Sequence, residues 1–246
     1  MASELIVRAE KAGAYALYAA RLRNGEEEAR SRFVSLLQRI GVPALPVVRV
    51  GLERLETRLH IANAPTIVED LLEGLPSYYD DAASEIVARY TQSDAPGVAL
   101  AATTALPKVA ARRARPILLG LISHTDEAVV LAALAGLEAF KSADVAVLEH
   151  ITPLVRSTDP ARHAARLAAL QLTAFVTPEA IAHARTLCAF VLSASVSGTP
   201  EADDLVFVAA SSLVKIGGER ARIMDRRSKS SASLRARLDA LLSKNT

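Results

Sequence analysis

Side chains able to do acid–base, metal or nucleophilic chemistry are thinly spread through this chain. The five histidines are His60, His124, His150, His163 and His183. No pair has the i, i+4 spacing around an acid that sets two imidazoles and a general base about zinc, and none accompanies a cysteine pair. Neither a metal nor a cofactor is expected. Cys188 lies on an apolar helical stretch, 181–192, beside Leu187, Val191 and Leu192, where nothing adjacent would stabilise a thiolate, so it reads as a buried structural thiol. The paired acids Asp80-Asp81 and Asp203-Asp204 and the run Glu26-Glu27-Glu28 fall at predicted helix starts, where the positive end of the dipole accounts for them. Glycines occur singly or as Gly217-Gly218, without the strand–turn–helix frame of a phosphate loop. No catalytic residue is assigned, and the chain is read as a non-enzyme.

Charge is more informative. Residues 61–107 carry one Lys or Arg against seven acids, 108–124 four against none, 125–214 five against ten, and 215–246 nine against three. The formal total of +2 conceals these alternating blocks. Lys108, Arg112, Arg113 and Arg115 form a central basic cluster, and Arg222, Arg226 and Arg227 lead the C-terminal one. They read either as a solvated face or as contacts to an acidic partner, a protein surface or a phosphate backbone. Tyr78-Tyr79 is the one aromatic doublet. It reads as an anchor for the stretch around it or as a binding hot spot, since tyrosine is enriched where an interface buries a ring and leaves a polar tip wet.

The elements that must position these groups are helices. The 246 residues are 51% hydrophobic but only 4% aromatic, with no tryptophan, so alanine and leucine supply the apolar content and base-stacking platforms are scarce. The longest apolar run, 128–137, is too short to span a bilayer. One cysteine excludes an intrachain disulfide framework, and the cytoplasm is the expected compartment. Abundant alanine and arginine suit a bacterial source of high GC content.

A short phrase recurs: Leu100-Ala101-Ala102, Leu131-Ala132-Ala133, Leu167-Ala168-Ala169 and, more loosely, Val208-Ala209-Ala210. Each copy of the first three follows a polar corner, Ser93-Asp94-Ala95-Pro96, Ser123-His124-Thr125-Asp126 or Arg156-Ser157-Thr158-Asp159-Pro160, suited to helix capping with proline in the first turn. Thr177-Pro178-Glu179 and Thr199-Pro200-Glu201 start two further helices. Apolar residues recur at helical spacing, as in Val130, Leu134 and Leu137 or Phe33, Leu36, Leu37 and Ile40, and Gly41 and Gly217 act as stops. The pattern predicts helices near 3–22, 26–40, 44–59, 65–74, 77–92, 96–106, 110–122, 127–140, 143–155, 160–175, 178–195, 201–216 and 219–243, the last broken around 228–233.

The segment 111–122, with Pro116 inside it, followed by Asp126 and the alanine-rich helix 129–140, resembles one HEAT repeat. Residues 145–170 resemble another, with Pro153, Asp159 and Arg166 at similar places, and the likeness covers about 94–216. It departs from the pattern where the arginine expected after Asp126 is missing and where repeat lengths slip. The resemblance implies an all-α, right-handed α-solenoid of HEAT-like hairpins over 1–246. Residues 26–60 would form a loose repeat, 61–93 an irregular stretch, 94–216 the clear repeats and 217–246 a basic C-terminal cap. It implies first helices on a convex side and alanine-rich second helices on a concave side, where Arg162, His163 and Arg166 interrupt the Ala/Leu surface. The expected function is that of a protein–protein interaction scaffold or adaptor binding a protein partner there. The alternative is a nucleic-acid-binding HEAT-like solenoid using the basic clusters. A third reading, a HEAT-like lyase or glycosylase, would need a convergence of ionisable groups that the residues do not suggest.

Overall fold

The computed structural model describes residues 27–56, 64–75, 80–194, 199–217 and 220–244. Among these, thirteen α-helices account for the architecture: α1 (Glu27–Ile40), α2 (Leu45–Glu56), α3 (Ala64–Glu73), α4 (Asp81–Tyr90), α5 (Pro96–Val109), α6 (Ala111–Leu121), α7 (Glu127–Ala139), α8 (Val145–Arg156), α9 (His163–Leu172), α10 (Ile181–Ala194), α11 (Pro200–Lys215), α12 (Arg220–Ser228) and α13 (Ala232–Ser243). The chain is all-α. The expected helix at 3–22 and the Tyr78-Tyr79 doublet lie outside the described residues. The long helix expected at 160–175 is cut by 3₁₀ turns at Pro160–Arg162 and Thr173–Phe175, and the one at 178–195 opens with another at Pro178–Ala180. The C-terminal break falls at Lys229–Ser231, where Ser231 caps α13 by accepting from the Leu234 amide at 3.2 Å.

The chain divides into two compact units, the first ending at Leu118 and the second beginning at Leu119, within α6. In the first unit α1 packs on α3 and α3 on α5, while α2 packs on α4; α2 also packs on α3 and α4 on α5, each its neighbour in sequence. In the second unit α7, α9, α11 and α13 pack in succession, as do α8, α10 and α12, and the pairs α8–α9, α10–α11 and α12–α13 tie the two rows together. Each unit is thus a double layer of consecutive helix pairs. An amphipathic helix buries one stripe against a neighbour. These helices bury more, because each meets a pair mate and the helix two places on.

The recurring phrase explains how closely they meet. Its copies fall on α5, α7, α9 and α11, and in each the third residue, Ala102, Ala133, Ala169 or Ala210, has no exposed surface. The two residues before it are half-buried on α5, α7 and α9. A methyl group at the buried position lets backbones approach, and the larger Val130, Leu134, Leu170 and Leu213 fill the space on either side, all fully or almost fully buried. On α1 the helical spacing holds less well, with Leu37 buried but Leu36 turned to solvent.

Helix ends obey the expected chemistry. Gly41 and Gly217 have φ of +69° and +70°, a conformation in which a Cβ is strained. Asp80, Asp126, Asp144, Asp159 and Thr199 each accept a bond from a first-turn amide at 2.6–3.2 Å. Thr177 departs from this: its hydroxyl is buried and does not cap the 3₁₀ turn that follows. In the second unit the turn before α8 and the turn before α10 are joined by two backbone bonds, Ala143 N–H to Phe175 carbonyl and Thr177 N–H to Ala143 carbonyl, both 2.9 Å.

In the first unit, Tyr90 of α4 is buried and donates its hydroxyl to the Leu52 carbonyl of α2 at 2.5 Å. Desolvation raises its pKa above the ordinary value of 10.0, with the Glu56 carboxylate adding to the effect. Its contribution to stability is therefore complete below pH ~10 and is lost as pH climbs from there toward the folded-state value. Two outcomes test this packing. Ala169→Leu should destabilise the chain by about 1–3 kcal/mol through overpacking, whereas Ala168→Leu, one residue earlier and half-buried, should stay within about 0.5 kcal/mol of wild type in urea titrations. Tyr90→Phe should cost about 1 kcal/mol at neutral pH, and the gap to wild type should narrow by about 1.4 kcal/mol per pH unit above 10.

Candidate functional site

The corners before α5, α7 and α9 use the same local device. A side chain accepts a bond from the amide two residues on: Ser93 Oγ from Ala95 at 3.2 Å, His124 Nδ1 from Asp126 at 3.0 Å and Ser157 Oγ from Asp159 at 3.2 Å. A nitrogen that accepts cannot carry the proton, so His124 holds it on Nε2. The histidine does structural work. Asp126 and Asp159 then cap their helices, while at the first corner Ala95 occupies the cap position without a side-chain bond.

The residues expected to contact a partner sit at these corners. Arg162, in the 3₁₀ turn leading into α9, donates through both terminal nitrogens to the His124 carbonyl at 3.2 and 3.3 Å. Arg166, one turn into α9, donates Nε to the Val155 carbonyl near the end of α8 at 3.3 Å, and burial pushes its pKa down from the ordinary arginine value. His163 begins α9, half-buried. Arg185 of α10 repeats the arrangement, donating to the Ile216 and Gly217 carbonyls after α11 at 3.4 and 2.5 Å. Arginines placed at helix C-terminal carbonyls satisfy orphan acceptors and meet the negative end of the dipole. Arg162 and Arg166 therefore join neighbouring corners as well as bordering the surface of α9.

The basic clusters are extensively paired. In the first unit Arg113 reaches Glu85 at 3.1 Å and Asp81 at 3.6 Å on α4, and Lys108 lies half-buried in the last turn of α5. Arg115 is half-buried; the side chain of Arg112 is outside the described set. In the second unit Arg227 forms a two-pronged pair with Asp239, which holds that carboxyl below its ordinary range. Arg237 reaches Asp204 at 2.8 Å and lies over the Phe207 ring at 4.3 Å. Arg222 is exposed and Arg226 half-buried, both on α12.

Two surfaces of the second unit remain. One is the half-exposed face of α7, α9 and α11, carrying Leu131, Ala132, Ala135, Leu167, Ala168 and Val208. The other is a cleft of about 590 Å³ lined by residues of α8, α10 and α12, among them Arg156, Phe190, Arg222 and Arg226. No protein-family model matches the chain, and no curated protein is significantly similar to it. Among the described residues no group of three or more His, Cys, Asp or Glu side chains is placed to hold a metal ion, and no helix is long and apolar enough to cross a membrane. Cys188 is fully buried, with the Thr173 hydroxyl 3.5 Å from its sulfur.

Sequence reasoning missed Arg156, Phe190 and Arg185. Arg156 is the last residue of α8 and Arg222 lies 66 positions on, so no local spacing links them. If Arg162 holds two corners together, Arg162→Ala should lower stability by about 1–2 kcal/mol while Arg162→Lys recovers only part of it, because a point cation cannot span the carbonyl with a planar fork; thermal melts read both.

Proposed function

We propose that the chain is a non-enzymatic interaction scaffold or adaptor, its helix pairs being HEAT-like repeats stacked within each unit in the right-handed sense of an α-solenoid. It binds a protein partner across the half-exposed face of its second helices. The observation that carries this reading is the row of uncharged small and aliphatic side chains on α7, α9 and α11, with Leu131 and Ala132 on the first, Leu167 and Ala168 on the second and Val208 on the third. Apolar side chains left open to solvent on adjacent helices are a usual mark of a partner site. Its short side chains lose little rotamer freedom when covered, and helices packed on both layers need no ordering on association. Arg162, His163 and Arg166 lie within five residues before Leu167 and give this face a polar rim.

The alternative, a phosphate-backbone interface on the basic clusters, is weakened by Arg113, Arg227 and Arg237, whose charges are matched by Asp or Glu side chains. A phosphate would have to compete with these pairs. The catalytic reading finds no support in paired or converging titratable groups on the face.

Capture of partners by the tagged full chain, with and without nuclease and at high salt, tests the reading when combined with Ala132→Arg plus Ala168→Arg. A stoichiometric protein should persist through nuclease and salt and be lost from the double variant, whose thermal melt should match wild type. Nucleic acid in the eluate, with protein recovery abolished by nuclease, would overturn it in favour of the basic clusters.

A further inference from the structure

The cleft on the other row of the second unit has a chemistry of its own. Arg156 ends α8, Thr186, Ala189, Phe190, Leu192 and Ser193 come from α10, and Arg222, Asp225 and Arg226 from α12. Its volume lies within the ~300–1,000 Å³ of ordinary ligand sites. The Arg156 guanidinium sits over the Phe190 ring at 5.1 Å, beside an apolar wall completed by Ala189 and Leu192. A guanidinium has five N–H donors in a planar fork, so an arginine that serves an internal partner still presents donors to a carboxylate or phosphate.

The acceptors in the wall decide between anions. Thr186 donates its hydroxyl to the Ala182 carbonyl at 3.0 Å, and Ser193 donates to the Phe190 carbonyl at 3.0 Å. With those bonds made, both hydroxyl oxygens keep lone pairs that accept from a ligand. Asp225 adds a carboxylate, held by Lys229 at 2.8 Å. The cleft therefore combines three cations, three sets of acceptor lone pairs and an apolar wall. A DNA backbone brings anions but no donors to meet such acceptors. A peptide with acidic and aliphatic side chains brings all three complements: carboxylates for the arginines, backbone N–H groups for the oxygens and a hydrocarbon side chain for Phe190 and Leu192.

We propose that the cleft between α8, α10 and α12 binds an acidic peptide segment of the protein partner, with Arg156, Arg222 and Arg226 as the carboxylate clamp and Phe190 as the apolar wall. This deepens the protein-binding reading and rests on it, while occupying a different row of helices from the Leu-Ala face.

The test is a fluorescence-anisotropy titration of the full chain with a labelled peptide of alternating glutamate and leucine, beside the same peptide with lysine for glutamate and a labelled single-stranded DNA. Saturable binding of the acidic peptide alone is expected, weakened about tenfold or more by Arg156→Glu and by Arg222→Glu, with both variants melting as wild type does. Phe190→Leu should weaken it with the charges intact. Absence of saturable binding, or binding indifferent to both reversals, overturns the proposal; so does DNA bound through these arginines while the peptide is not. If either reversal leaves capture of a protein partner intact and the peptide fails, the cleft is wrong and the Leu-Ala face stands.

Discussion

The second unit depends on close burial of small side chains: Ala133, Ala169 and Ala210 have no surface left to solvent on α7, α9 and α11, helices that pack in succession. Helices of this length gain little from intrinsic propensity and are held by what their faces bury. Here the burial is divided between two contacts per helix, the pair mate and the helix two places on, so each interface must be narrow. A methyl group at the third phrase position meets that requirement, and leucines and valines above and below it supply the apolar area. Ala102 of α5 has the same burial in the first unit, which places the same constraint on its contacts with α3 and α4.

Close packing of this kind only works if the corners return the chain at a fixed height. Capping side chains hold the starts of α4, α7, α8, α11 and α13, and the arginines at 162, 166 and 185 hold carbonyls at helix ends or in the turns that follow them. The Ala143–Val176 bridge links two further turns. Polar residues in this chain thus work at the helix termini, where orphan amides and carbonyls have to be satisfied, and the faces between them are left to small apolar side chains. An arginine at a corner is both a tie and a rim to the face beside it. That dual placement is why residue type alone could not separate structural from partner-facing cations.

Much of this organisation was readable from residue order. The four Leu-Ala-Ala-type phrases fall on helices, the Asp126 and Asp159 corners mark the starts of two of them, and the glycines at 41 and 217 mark ends, since each rests on a local rule of geometry. The 3₁₀ turns at 160–162 and 173–175 escaped because they continue a helical apolar pattern with a tighter winding. The corner device linking Ser93, His124 and Ser157 escaped because a hydroxyl and an imidazole do the same work there. Ion pairs such as Arg113 with Glu85 and the cleft around Phe190 join residues from different helices, and no spacing in a single sequence announces them.

The account turns on whether the half-exposed face of α7, α9 and α11 is what a partner covers. Hydroxyl-radical footprinting of the full chain, alone and with its captured partner, reads that directly. Protection of Leu131, Leu167 and Val208 in the bound state is the predicted result. Equal oxidation of all three in the bound and free states would contradict the account.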